Sequence, residues 1–202
     1  MDAFAAIEAR RAVKKFDPQH RMTEAEIERL MRAAALTPTS FNIQNYRFVV
    51  VTDPDRKRQI RAAGWNQAQF SECSALVIVC GDRGAYAKDP ARYWAHVEDK
   101  TREAIVGMIT GYYGTHPEGR RDENLRSGSM AAMTIMLAAK AMDYDTCPMV
   151  GFDFDAVASL IALPPAHDII MAVAVGKALE PARSRTGQVP LAELVLRDRF
   201  DS

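Results

Sequence analysis

The chain has 202 residues, 48% of them hydrophobic, which is enough for a substantial core and argues against disorder. Lys plus Arg and Asp plus Glu both total 26, so no global charge favours nucleic acid. Cys73, Cys80 and Cys147 are odd in number and scattered, which speaks against a disulfide framework or a structural zinc site. His20, His96, His116 and His167 are equally isolated, so no metal site is expected. No basic leader precedes an apolar run, and no uncharged stretch is long enough to span a bilayer, so a reduced, cytoplasmic location is expected.

In chain order, Asp2–Glu8 reads as a short helix ending in a basic run, Arg10, Arg11, Lys14 and Lys15. Thr23 and Glu26 have capping-box spacing ahead of a helical period at Ile27, Leu30, Met31 and Ala34. That helix stops before Pro38. Arg47–Thr52 is rich in β-branched residues and predicts a strand. Asp53-Pro54 then caps a helix running to about Ala63. Ala75–Cys80 is continuously apolar, as a strand buried on both faces would be.

Ala91–Tyr113 is helical in pattern and aromatic-rich, and polar, glycine-containing 114–121 predicts a loop. Asn124–Met142 predicts a long helix, apolar around most of its surface. Cys147–Phe152 reads as a turn, Asp155–Ala162 as a short helix and Ile169–Val175 as a third strand. Leu194–Leu196 is a further strand candidate. The pattern is α+β, with no repeat and no domain linker, hence one domain over 1–202. GxGxxG spacing is absent after Ala75–Cys80, and there is no Walker loop.

Four segments could carry chemistry. Arg10, Arg11 and Lys14 form one basic cluster, and Arg183 and Arg185 another. Residues two apart in extended chain face the same way, so both guanidinium groups of the second could close on one phosphate. Taken by itself, either cluster reads first as a solvated charged surface. Thr37–Phe48 is polar and turn-prone, and its alternating Ser40, Asn42 and Gln44 could serve a heterocycle or merely local turns. Pro148, Met149, Val150 and Gly151 could bring backbone against something flat, or only turn the chain. Cys147 has no histidine near it in sequence to activate it.

Taken in order, these segments resemble the nitroreductase family of FMN enzymes over nearly the whole chain. The matching pieces are EARRAVKKF at 8–16, LTPTSFNIQNYRFVVV at 36–51, Asn66 to Gln69, DTCPMVGFD at 145–153 and PARSR at 181–185. The resemblance implies a three-layer α/β/α fold, with a central, mostly antiparallel sheet flanked by helices, in an intertwined homodimer with active sites at the interface. It implies FMN as cofactor and NADH or NADPH as donor, with hydride passing by ping-pong to a small planar acceptor, a nitroaromatic or a quinone. Reduction of an enal or semialdehyde, or flavin binding without catalysis, are alternative readings. No side chain is expected to act as a catalytic nucleophile.

By the same resemblance, Arg10, Arg11, Ala12 and Lys14 meet the flavin and its phosphate, joined there by Arg183 and Arg185. Ser40 and Asn42, with Gln44 in the same motif, reach the flavin from the other subunit. Asn66 and Gln69 are further polar contacts, and the backbone of Pro148, Met149, Val150 and Gly151 lies against the ring. The chain departs from the pattern at Ala12, where serine is usual, and at Asn45-Tyr46, where Pro-Trp is common. Gln69 stands where some relatives carry lysine, and Val150 where some carry glutamate.

Overall fold

The computed structural model describes residues 1–200. Four strands, β1 (Tyr46–Val51), β2 (Ala75–Asp82), β3 (Asp145–Met149) and β4 (His167–Gly176), form a sheet in the order β1-β2-β4-β3. Every neighbouring pair is antiparallel. The helices are α1 (Ala3–Ala9), α2 (Glu24–Ala34), α3 (Pro54–Ala63), α4 (Gln69–Glu72), α5 (Ala85–Lys88), α6 (Asp99–Thr115), α7 (Pro117–Ala141), α8 (Phe154–Leu160) and α9 (Leu191–Leu194). Short 3₁₀ turns lie at Ser40–Asn42 and Pro90–Trp94.

The two-residue alternation of β2 divides the interior. Leu76, Ile78 and Cys80 face a core completed by Ile60 of α3, Phe70 of α4 and Val157 of α8. Ala75, Val77 and Val79 face the other core, with Leu30 of α2 and Ile135 and Ala139 of α7. Helices therefore cover both sheet faces, which is why β2 is apolar without alternation. Each fully buried Leu, Ile or Phe contributes roughly 1.5–3 kcal/mol. Long α7 lies close on the sheet at Gly128, where a Cβ would sit 2.7 Å from Ile170 Cγ1.

The capping box forms as its spacing predicts. Glu26 N–H donates to Thr23 Oγ1 at 3.3 Å, and Thr23 N–H donates to Glu26 Oε2 at 2.8 Å. The Tyr144 hydroxyl donates to Glu26 Oε1 at 2.7 Å. The Thr23 backbone bond first, then Tyr144, holds the Glu26 carboxyl at about 2, well below the usual carboxylate range. A carboxyl depressed on folding stabilises the fold above its unfolded pKa, and that contribution disappears as pH falls through the folded value. Urea unfolding of wild type and Glu26→Gln should therefore diverge at pH 5–6 and converge towards pH 2. A stability difference that does not shrink with acid would refute the assignment.

The three expected strands and the helices at 3–9, 24–34 and 54–63 form close to their expected limits. Other segments differ. Of the turn expected at Cys147–Phe152, residues 147–149 instead complete strand β3 (Asp145–Met149), because Thr146 pairs with Val175 and the Thr146 carbonyl accepts Val13 N–H at 2.9 Å. Pro148 is tolerated because β3 is an edge of the sheet. The expected loop at 114–121 shrinks to a break at His116, since Pro117 sits in the first turn of α7, where its missing N–H costs nothing. The aromatic stretch 91–113 is split between the turn at Pro90–Trp94 and α6. Leu191–Leu194 is a helical turn, and Val195 and Leu196 belong to no strand. Among the described residues no helix is long and apolar enough to cross a membrane.

Candidate functional site: a basic cleft beside the edge strand

Residues 10–14 leave α1 as extended chain and run alongside β3, with Ala12 bridged to Thr146 in parallel fashion. This lays the N-terminal basic cluster along the sheet's edge. The C-terminal segment crosses the same place. Together, Arg10, Arg11, Ala12, Lys14 and residues 183–186 and 188 line an open cleft of about 300 Å³. Arg11 Nη2 donates to the Arg183 carbonyl at 2.5 Å. Arg185 Nη2 donates to the carbonyls of Glu8 and Arg10, at 2.6 and 3.2 Å. The two clusters therefore pin each other's backbones. Cationic side chains line the cleft and no carboxylate does. Arg10 Nε is buried there with no hydrogen-bond partner among the described residues. A buried, unpaired guanidinium N–H is costly, and a phosphate oxygen is the acceptor that best matches it.

Deeper along β3, Lys14 Nζ stands 3.7 Å from Cys147 Sγ. Burial pushes the Cys147 thiol up, and Lys14 and then Gln69 draw it partly back. Burial also raises Cys73 and Cys80, both to about 12. None of the three is a ready thiolate, so nucleophilic catalysis by cysteine has no support here. Gln69 is buried at the start of α4.

The loop 64–68 packs onto the end of β3. Gln67 Nε2 donates to the Gly151 carbonyl at 2.7 Å. Trp65 and Asn66 are both left-handed, at φ 51° and 56°. Asn66 Oδ1 accepts from Arg61 Nε at 2.8 Å, which fixes its amide. A Cβ on Gly151 would lie 2.9 Å from Trp65 Cζ3, so glycine admits the indole against this segment. Met149 is buried while Pro148 is exposed, and Trp65 and Val150 remain 71% and 60% exposed, leaving an apolar surface beside the strand's end.

Ser40, Asn42 and Gln44 lie elsewhere. They precede β1, the opposite edge of the sheet from β3. Gln44 Nε2 donates to Asn42 Oδ1 at 3.3 Å, and Ser40 N–H donates to Glu123 Oε1 at 3.4 Å. Within one chain, the N- and C-terminal basic residues come together, Gln69 meets Cys147, Asn66 is held by Arg61 in the loop whose Gln67 bonds Gly151, and residues 40–44 join neither group. Ser184, Thr186 and Gln188 also line the cleft, though sequence reasoning missed them. Strict two-residue alternation points them away from Arg183 and Arg185, but the segment pairs with no strand and turns both sets inward. Trp65 was missed as well. Its position directly before Asn66 was the available signal.

This arrangement is that of an α+β protein with an antiparallel sheet and a basic cleft at its edge. The Nitroreductase family model matches residues 7–177. Protein DrgA from Synechocystis sp. is 46% identical over 200 residues, covering 96% of this chain and 95% of its own. The Bacillus subtilis protein ydfN has a solved structure that superposes with a TM-score of 0.91 at 29% identity, covering 96% of this chain and 97% of its own. A nitroreductase-type protein from Exiguobacterium sibiricum, solved in complex with FMN, gives 0.88 at 26% identity, covering 96% of each chain. The chain belongs to the nitroreductase family, whose members are FMN- and NAD(P)H-linked oxidoreductases.

Proposed function

We propose that the chain, as one domain over residues 1–202, is a homodimeric FMN-dependent oxidoreductase. It takes hydride from NADH or NADPH and gives it to a small planar acceptor, a nitroaromatic or a quinone, by a ping-pong mechanism. The observation that carries this reading is the basic cleft with its buried, unpaired Arg10 Nε, opening beside the end of β3. The donor set fits the cofactor. Arg10, Arg11, Lys14, Arg183 and Arg185 would hold the phosphate, while Asn66, Gln69 and the backbone of Pro148–Gly151 would meet the ring.

Ser40, Asn42 and Gln44 would serve the site of the other subunit. Their place at the opposite sheet edge supports that arrangement, as do the exposed apolar side chains of Phe4, Ile7, Met130 and Met133.

When bound, FMN would supply the hydride-transfer chemistry. The protein binds and orients. Cationic side chains anchor one end of the cofactor, and the exposed apolar surface of Trp65 and Val150 favours flat partners over water. Gln69 and Val150 bring neither the positive charge nor the carboxylate found in some relatives, so the backbone N–H groups here would give hydrogen bonds only, and any proton the reaction needs would come from solvent. Purified protein should be yellow and should bleach anaerobically with NADH or NADPH. Steady-state rates with nitroaromatic, quinone, enal and semialdehyde acceptors then rank the substrate classes. Protein that takes up no FMN would sink the proposal, and intersecting rather than parallel double-reciprocal lines would sink the ping-pong order.

A further inference from the structure

We propose that Trp94 is a positioning residue for the flavin-facing turn at 40–44, acting through the carbonyl of Phe41; this rests on the FMN reading above. Three non-glycine residues in this short turn are left-handed: Phe41 at φ 51°, Asn42 at 53° and Gln44 at 43°. Such residues are strained and persist only where their surroundings over-determine them.

The surroundings are visible. Gln44 N–H donates to Thr39 Oγ1 at 3.0 Å, and Ile43 is buried. The Phe41 ring meets Tyr113 of α6 edge-on, at 6.4 Å between centroids. Trp94 Nε1 donates to the Phe41 carbonyl at 3.2 Å. That bond holds the peptide plane between two left-handed residues, and with it the direction of the Asn42 amide. Trp94, Phe41 and Tyr86 also pack against the small core of Ile43, Ile109 and Tyr113. The turn that would touch flavin thus shares one apolar cluster and one directed hydrogen bond with Tyr86, Trp94 and Tyr113. Loosening Trp94 leaves the phosphate cleft intact but lets the polar contacts to the ring wander.

The test is Trp94→Phe in the FMN-loaded protein, which keeps an aromatic ring and deletes the donor. The dissociation constant for FMN should rise up to about tenfold, the effect of one net hydrogen bond. The visible circular dichroism and midpoint potential of the bound flavin should also change. A merely structural role would lower the melting temperature without moving those two signals. If Trp94→Phe does not fold, β-(3-benzothienyl)alanine at position 94 keeps the shape and removes only the N–H. A variant with wild-type affinity, dichroism and potential overturns the inference while leaving the flavin reading standing. A wild-type protein that binds no FMN overturns both.

Discussion

Arg10→Ala should weaken FMN binding roughly tenfold to a hundredfold, measured by quenching of flavin fluorescence on titration. Hydrogen bonds to charged groups contribute about 1.5–3 kcal/mol each, and every 1.4 kcal/mol is about a factor of ten in affinity. Arg10 is the cation for which this size of effect is expected, because its Nε is buried and has no partner among the described residues. The side chains of Arg11 and Arg185 are already engaged with backbone carbonyls of the opposite cluster. Replacing either of those would mix a lost ligand contact with a loosened scaffold. The Arg10 carbonyl still accepts from Arg185 after truncation, so the cleft should keep its shape. Arg10→Lys keeps the charge but loses the planar fork and should fall between the two. An Arg10→Ala protein whose affinity stays within twofold of wild type would remove the phosphate from this cleft.

Phe70→Ala should destabilise the fold by about 3–5 kcal/mol, the usual cost of truncating a buried phenylalanine. Phe70 is fully buried and meets Phe152 edge-on, with centroids 5.8 Å apart. Few sites in this chain connect packing to the proposed function so directly. Phe70 follows Gln69 in α4, and Phe152 follows Gly151, so one aromatic contact fixes two of the segments assigned to the ring. A loss of this size is a large share of the 5–15 kcal/mol that folded domains hold. The denaturant midpoint should fall with little change in slope, and the bound flavin's absorption should shift as both segments loosen. A loss below 1 kcal/mol would mean that the site collapses around the missing ring and that this contact does not brace the segments.

Much was legible from local chemistry. The Thr23–Glu26 box, the Asp53-Pro54 start and the apolar run of β2 depend on neighbours a few residues apart, and each forms as expected. The basic runs at 10–14 and 183–185 stand out because several cations in one short stretch demand either water or an anion. Where expectation failed, distant partners decided. Cys147-Pro148 looks like a turn in isolation, but β4 on one side and residues 12–13 on the other supply the bonds that make a strand. The polar stretch 114–121 looks like a loop, yet it is helical on both sides of His116, and Arg120 within it lies over the Tyr86 ring.

The candidate site divides along the same line. Sequence by itself determined which residue types are present: the arginine forks, the amides of residues 40–44 and 66–69, and the glycine at 151. Only the tertiary structure decided which of them meet. It set Arg185 against the Arg10 carbonyl from 175 positions away and turned Ser184 and Thr186 into the cleft. It also sent Ser40, Asn42 and Gln44 to the far edge of the sheet. The physical reason is one of range. Caps and strand runs reflect energies between near neighbours along the chain, whereas a cleft is set by strand order and edge pairing, which sum over contacts that adjacency does not encode.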